Sequence, residues 1–337
     1  MNVSNTFVLK TLGVPIINSF SHLSEQLSLS EQFLYVLAYE SRYHYTMAKI
    51  PKKNGKERVL YMPSLALKVV QKWILTEILE KIRVSEQAMA FVPKKNGLKE
   101  NAKSHSSKLF LLQMDITNFF GSIREKQVYE LFRNIGYNNK VADVLSRLCT
   151  YEDVLPQGAV TSPYIANLVC VHLDSRISGL CSRRDVVYTR YADDMAFSSN
   201  NRTVLNGMET FVQYIVTNEG FCINEHKTRY SSNNSKKTIT GITINNKEIH
   251  VDKRYKRNLR AEIYSSINTM NYSFNEEIRG KISYINSIEN GYKLRIIDYI
   301  SKLTLKPEWT CDREKVSRFN QNKLFKEIPD MYYVGLN

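Results

Sequence analysis

The chain of 337 residues carries 47 Lys and Arg against 33 Asp and Glu, a formal net charge of +14. Hydrophobic residues make up 43% and charged residues 24%, a globular balance that excludes wholesale disorder and supplies core enough for one large domain or a few subdomains. The basic excess favours a polyanionic partner, because phosphates attract it and counterion release adds affinity.

The five cysteines, Cys149, Cys170, Cys181, Cys222 and Cys311, are odd in number and form no C-x-x-C pair. That argues against a disulfide framework or a structural zinc site, and for the reduced thiols of a cytoplasm. Met1 to Lys10 lacks the basic region and long apolar core of a secretory signal. The longest apolar run, near Tyr164 to Leu173, is too short for a bilayer. The expectation is a soluble, cytoplasmic protein with no membrane partner.

In chain order, residues 1–50 read as a helical segment, with Ser30 as N-cap and Phe33, Leu34, Leu37 and Ala38 at helical spacing. Lys52-Lys53-Asn54-Gly55-Lys56 is turn chemistry with a basic tip, and Arg58-Val59-Leu60-Tyr61 completes a β-hairpin pattern. Leu65 to Ile82 reads as one amphipathic helix. Pro-Lys-Lys-Asn-Gly recurs at 51–55 and 93–97, which gives two basic turns and no repeat architecture.

Leu109 to Met114 is an almost continuous apolar run ending in Asp115, as a buried strand requires. A helix follows from Glu125 to Phe132, and another begins at Ser162-Pro163, with Ser as N-cap and Pro as first residue. Val186–Tyr191 and Met195–Ser199 read as strands of a hairpin whose tip holds two carboxylates. Phe211–Val216 is helical, and Thr238–Ile244 alternates like a strand. From Asp252 the chain is helical and basic, with Pro307 punctuating its tail. The mixture predicts an α+β protein with an antiparallel hairpin at its core.

Asp115, Asp193 and Asp194 therefore fall at a strand end and a hairpin tip. Adjacent acids between apolar strands repel each other and are costly to desolvate. A hard divalent cation offsets that cost, and Mg²⁺ takes a few carboxylate oxygens while leaving positions for phosphates. Two such ions about 4 Å apart can activate a 3′-hydroxyl and stabilise a leaving pyrophosphate. Asp-Asp alone is more often just a polar turn; the flanking strands and the second strand-terminal Asp favour the metal.

These residues carry a family resemblance. Tyr191-Ala192-Asp193-Asp194 resembles the signature of reverse transcriptases. Asp115-Ile116-Thr117-Asn118-Phe119-Phe120-Gly121-Ser122-Ile123 resembles their first catalytic motif. Leu155-Pro156-Gln157-Gly158-Ala159-Val160-Thr161-Ser162-Pro163 resembles their template-and-nucleotide motif, and Lys53…Arg58-Val59-Leu60-Tyr61-Met62-Pro63 their fingers motif. The match runs from about residue 50 to 250 in the family's order.

The resemblance implies a right-hand polymerase architecture: an N-terminal helical segment (1–50), fingers and an antiparallel palm (51–250), and a helical basic thumb with tail (251–337). It implies an RNA-directed DNA polymerase, a nucleotidyltransferase using deoxynucleoside triphosphates and two Mg²⁺ ions, with Mn²⁺ as substitute. Asp115 and Asp193 would bridge both metals and Asp194 assist, with Ile116 giving a backbone carbonyl. Phe120 would be a steric gate against the ribose 2′-hydroxyl, or else a core aromatic. Lys53 and Arg58 would hold the triphosphate, with Lys52 an equally basic alternative to Lys53. Gln157, Gly158 and Tyr191 would approach the nucleotide, and Lys227 would be the acid for the pyrophosphate or a solvated lysine.

Two elements resemble the retron branch. Asn101-Ala102-Lys103-Ser104-His105 matches its Asn-Ala-x-x-His element, and Ile239-Thr240-Gly241 stands in place of Val-Thr-Gly. The resemblance assigns RNA contact to Asn101, His105, Thr240 and Gly241. About 90 residues follow the last palm motif, enough for a thumb without an added nuclease domain. Lys253, Lys256, Arg257 and Arg260 share one helical face; with no acid on that face their repulsion points to a nucleic-acid phosphate across them.

A retron enzyme would bind its cognate structured noncoding RNA, prime from an RNA 2′-hydroxyl and make a branched RNA–DNA hybrid, msDNA, that stays bound. It would serve bacterial anti-phage defence with a separate effector or toxin protein. The competing readings are a group II intron-like or diversity-generating reverse transcriptase, a non-catalytic RNA-binding scaffold and an RNA-dependent RNA polymerase. The metal-binding acids disfavour the scaffold. Phe120, and Ala rather than Gly before Asp193-Asp194, disfavour the RNA polymerase.

Overall fold

The computed structural model describes residues 4–51, 55, 57–232, 235–245 and 247–303. It is an α+β chain in two compact units, one of 1–97 with 108–233 and one of 98–107 with 234 onward.

The first unit opens with three short helices, Thr6–Leu12, Phe20–Leu27 and Glu31–Tyr39. The last is capped by Ser30, whose hydroxyl accepts from the Phe33 amide. Strands β1 (Tyr45–Pro51) and β2 (Glu57–Pro63) then form an antiparallel hairpin, in register from Tyr45 opposite Pro63 to Pro51 opposite Glu57. Its basic tip, including Lys52 and Lys53, lies outside the described residues.

The helix expected over Leu65 to Ile82 stops at Glu77, and a 3₁₀ turn, Leu79–Lys81, follows. The Ile82 carbonyl accepts instead from the Tyr164 hydroxyl, a tertiary bond that periodicity cannot anticipate. The helix at the template motif runs Ser162–Val169 with Thr161 at the N-cap, so Ser162 is its first residue and not its cap. The Ser162 hydroxyl is buried without a hydrogen bond.

The catalytic motifs converge on a second sheet of four antiparallel strands. β3 (Phe110–Asp115), β4 (Val187–Tyr191), β5 (Asp194–Ser199) and β6 (Arg229–Ser231) lie in the order β4-β5-β3-β6. β3 is interior in the sheet and buried from Leu111 to Asp115, which explains its unbroken apolar run. Helices Val171–Ser182 and Arg202–Asn218 pack on the sheet through Leu173, Ile177, Leu205, Met208 and Val212. At about 25 cal/mol per Å², each such buried side chain contributes roughly 1.5–3 kcal/mol.

The second unit builds its own core. A three-stranded meander, β7 (Lys237–Ile239), β8 (Ile242–Asn245) and β9 (Glu248–Val251), precedes helices Lys253–Thr269, Asn275–Ile288 and Tyr292–Lys302. The run Thr238–Ile244 is thus a hairpin and not one strand. Thr240 and Gly241 turn the chain with φ of 46° and 84°, the two left-handed residues that a tight hairpin needs. Threonine is an unusual choice there, being β-branched, and so hides the turn from the sequence.

Ile242 and Val251 share this core with Leu259, Ile263 and Ile282. The units therefore part near 233–234, ahead of the 250–251 boundary the sequence suggested, and the meander belongs with the basic helices. Ala102, from the helix Gly97–Ser104, is buried in the same core. Among the described residues no helix is long and apolar enough to cross a membrane.

Candidate active site

The β3–β5 register sets Asp115 opposite Asp194, and the β4–β5 register sets Tyr191 opposite Asp194. Only Ala192 and Asp193 remain to turn the chain. Ala192 turns it with φ of 58°, a left-handed conformation in a residue other than glycine. The Ile116 amide donates to the Asp193 carbonyl at 3.0 Å, and the Asn224 amide to the Asp115 carbonyl at 2.7 Å. Backbone bonds thus fix all three acids, from three segments far apart in sequence.

Burial and mutual repulsion dominate the electrostatics of these acids. Burial, then Asp115, raises the Asp193 carboxyl above the usual carboxylate range, while Lys227 and Arg58 pull it back. Asp194 has an exposed surface, yet the packed chain around it, then Asp193 and Asp115, push its carboxyl up to about 6. Asp115 is nearly buried, and the Lys227 ammonium lies 2.8 Å from both of its carboxylate oxygens. That bond is the first cause of a raised Lys227 pKa. Among the described residues no three His, Cys, Asp or Glu side chains converge to hold a metal unaided. A Mg²⁺ site needs only one or two protein carboxylates with phosphates completing it, so hard oxygens around a position already drawing an ammonium suit such an ion.

Around the acids, Phe120 is half-buried in the short helix Phe119–Ser122, its ring edge-on to Phe119 at 5.4 Å. Tyr191 is half-buried, and burial raises its pKa. The Tyr61 amide of β2 donates to the Gln157 carbonyl at 2.7 Å. Gly158 has φ of 122°, and a Cβ there would meet the Tyr61 carbonyl oxygen at 2.6 Å, so only glycine lets β2 lie this close. Arg58, exposed on that strand, is close enough to lower the Asp193 pKa.

Several charged neighbours escaped the sequence reading. Arg229 on β6 donates from Nε to Gln113 at 3.1 Å and lowers the Asp194 pKa. Arg190, one residue before Tyr191, is fully buried and ion-paired with Asp174 at 2.7 Å. A charge inside the apolar run Val186–Tyr191 was the available signal, since a buried charge needs a partner.

In the second unit the expected RNA-contacting residues sit in different surroundings. Asn101 and His105 are each 1% exposed, and burial holds the His105 imidazole down to about 3. Both side chains are thus enclosed within the fold of the second unit. Thr240 is half-buried, with its hydroxyl enclosed and without a hydrogen bond, and only Gly241 of that turn is open to solvent. The four cations on Lys253–Thr269 do not form one bare face. Lys256 pairs with the buried Glu289 at 2.8 Å, and the Arg260 guanidinium lies 5.4 Å from the Tyr299 ring centre. The acid that this face lacked is Glu289, which caps the end of the next helix, and this leaves Lys253 and Arg257 as the exposed cations among the four without such neighbours.

Comparison with known proteins agrees with the geometry. The family model for reverse transcriptase (RNA-dependent DNA polymerase) matches residues 50–244. The retron Ec86 reverse transcriptase of Escherichia coli is 35% identical over 304 residues, covering 90% of this chain and 94% of that one. The retron Ec83 reverse transcriptase of Escherichia coli is 29% identical over 281 residues, covering 78% and 89%. The retron Mx65 reverse transcriptase of Myxococcus xanthus is 34% identical over 220 residues, covering 60% of this chain and about half, 51%, of that one. Reverse transcriptases as a family use divalent metal ions, RNA templates and nucleotide substrates. The chain belongs to the reverse transcriptases, and among these RNA-directed DNA polymerases it is of the retron type.

Proposed function

We propose that this polymerase binds its own structured noncoding RNA, primes from a 2′-hydroxyl of a guanosine in that RNA, and copies part of it into DNA, leaving a branched RNA–DNA hybrid, msDNA. The single observation that carries the chemistry is the register that sets Asp115 opposite Asp194, next to Asp193, with the Lys227 ammonium on Asp115. The retron relatives support the branched product. In this reading the protein works in the bacterial cytoplasm, in anti-phage defence, with a separate effector.

Asp115, Asp193 and Asp194 would hold Mg²⁺, and Ile116 would lend its backbone carbonyl. The ions supply charge neutralisation at the attacking and leaving oxygens. Arg58, with Lys53, grips the triphosphate, since guanidinium matches phosphate bidentately. The Gln157–Gly158 backbone lies flush against β2 and forms the floor on which nucleotide and template rest. Tyr191 flanks that floor, and Phe120 excludes a ribose 2′-hydroxyl. Lys227, an ammonium beside Asp115, would donate its proton to the leaving pyrophosphate. In the second unit Lys253 and Arg257 contact phosphate and Gly241 approaches RNA, while Asn101, His105 and Thr240 shape the fold beneath.

The test is to express the chain with its flanking DNA, purify it and sequence the bound nucleic acid. A DNA joined by a 2′,5′ bond to an internal guanosine of an adjacent RNA is the expected product. Unbranched cDNA primed from a free 3′ end would contradict the retron reading while leaving the polymerase intact.

A further inference from the structure

The catalytic turn is held from behind by a network that no motif reading includes. Arg190 lies on β4 with no solvent exposure, and its guanidinium spends every edge. Nη2 and Nε donate to the two Asp174 carboxylate oxygens at 2.7 and 2.9 Å. Nη1 donates to Asn167 Oδ1 at 3.2 Å and to the Ala192 carbonyl at 3.1 Å. Asp174 also accepts from the Tyr188 hydroxyl at 2.8 Å, and Asn167 donates to the Ala90 carbonyl at 2.8 Å. The Arg190 backbone is tied as well, its amide donating to Gln87 and its carbonyl accepting from Met89, both at 2.8 Å.

A buried ion pair is weak evidence for stability, because desolvation cancels much of its attraction and apolar replacement is often neutral. What this pair does have is a direction. Ala192 sits left-handed, with φ of 58°, a conformation that is unfavourable for an L-residue with a Cβ. The carbonyl that Arg190 grips belongs to that residue, and Asp193 and Asp194 come next. On its other side the guanidinium lies 5.9 Å from the Phe119 ring centre, and Phe119 packs against Phe120.

We propose that Arg190 is a positioning residue: anchored by Asp174 and Asn167, it holds Ala192 in its left-handed conformation and thereby aims the Asp193 and Asp194 carboxylates. Lysine cannot replace it, since one ammonium cannot face two carboxylate oxygens, an amide and a carbonyl in one plane. The proposal rests on the acids being the metal-binding groups, so Asp193→Asn serves as reference.

The experiment compares wild type, Arg190→Lys, Arg190→Lys with Ala192→Gly, and Asp193→Asn in the full-length protein. Three readouts are taken: thermal melting, Mn²⁺ affinity by electron paramagnetic resonance, and single-turnover primer extension on an RNA template. Arg190→Lys keeps the charge against Asp174 and is expected to melt close to wild type. Its Mn²⁺ affinity should fall roughly 10–100-fold. Its extension rate should fall about 100-fold, the cost of a misplacement near 1 Å, with primer–template affinity unchanged. Ala192→Gly should recover part of both losses, because glycine adopts the left-handed turn unaided.

Wild-type Mn²⁺ affinity and rate in Arg190→Lys would overturn the proposal. So would losses in Arg190→Lys that Ala192→Gly does not relieve. If Arg190→Lys fails to fold, Asp174→Leu with Arg190→Met and Tyr188→Phe replaces the network by apolar groups. A variant of that kind with normal melting and normal Mn²⁺ affinity overturns the proposal equally. Full activity in Asp193→Asn would instead fault the metal site itself.

Discussion

The Lys227 ammonium sits 2.8 Å from both carboxylate oxygens of Asp115, one of the acids proposed to hold metal. Without metal, the lysine is what offsets a nearly buried carboxylate. Lys227→Ala should therefore lower stability in EDTA by about 1 kcal/mol, a modest figure because the lysine is solvent-exposed and screened. Millimolar Mg²⁺ should raise the melting temperature more in Lys227→Ala than in wild type. Scanning calorimetry in both conditions measures this, and equal metal-induced shifts would show that Lys227 and metal do not share the position.

Phe120 leans edge-on against Phe119 and is only half-buried, so its free face can meet a substrate. Phe120→Ala should reduce the preference for deoxyribonucleotides over ribonucleotides by roughly 10–200-fold, the range for one steric contact in a pocket. The ratio of kcat/KM for the two substrates is the measurement. Unchanged selectivity would make Phe120 a packing residue.

The basic helix separates two roles that its sequence merged. Lys253→Ala or Arg257→Ala should each flatten the plot of log affinity against log salt by about 1, with stability unchanged. Lys256→Ala should instead destabilise the second unit, because it takes the nearer cation from the buried Glu289 and leaves only Arg295, at 3.7 Å, as its ion-pair partner among the described residues. Filter binding across a salt series, paired with thermal melts, distinguishes them.

His105 carries a pH dependence whose sign follows from burial. Its imidazole is held neutral, down to about 3 against a usual 6.5, so protons bind the unfolded chain more readily. The stability it allows is fully present above pH 6.5 and is lost as pH falls towards the folded value. The slope is about 1.4 kcal/mol per pH unit below 6.5. Denaturant melts from pH 7 to 5 should show a shallower decline in His105→Gln than in wild type.

What the sequence revealed was what local pattern encodes. Asp115 closes an apolar run, and Asp193-Asp194 interrupts two, so the strands and their acidic tips were visible before any contact was known. Phe120, Gln157 and Gly158 followed from motif order. The Arg190–Asp174 bond joins residues 16 apart on different elements, and nothing in either segment names the other. Asn101 and His105 look like surface polar residues because their spacing carries no record of the core that encloses them. Lys256 looked bare because Glu289 lies 33 residues on, just past the end of another helix. These three concern the tertiary surroundings of charged or polar side chains, for which periodicity offers no signal.

The central claim is that Asp115, Asp193 and Asp194 are the metal-binding, catalytic acids of this polymerase. Primer extension with deoxynucleotides on an RNA template, wild type against Asp193→Asn, tests it most directly. The account predicts a loss of at least about 1000-fold in rate, equivalent to roughly 4 kcal/mol, with RNA affinity and melting temperature retained. Extension by Asp193→Asn at the wild-type rate would contradict it.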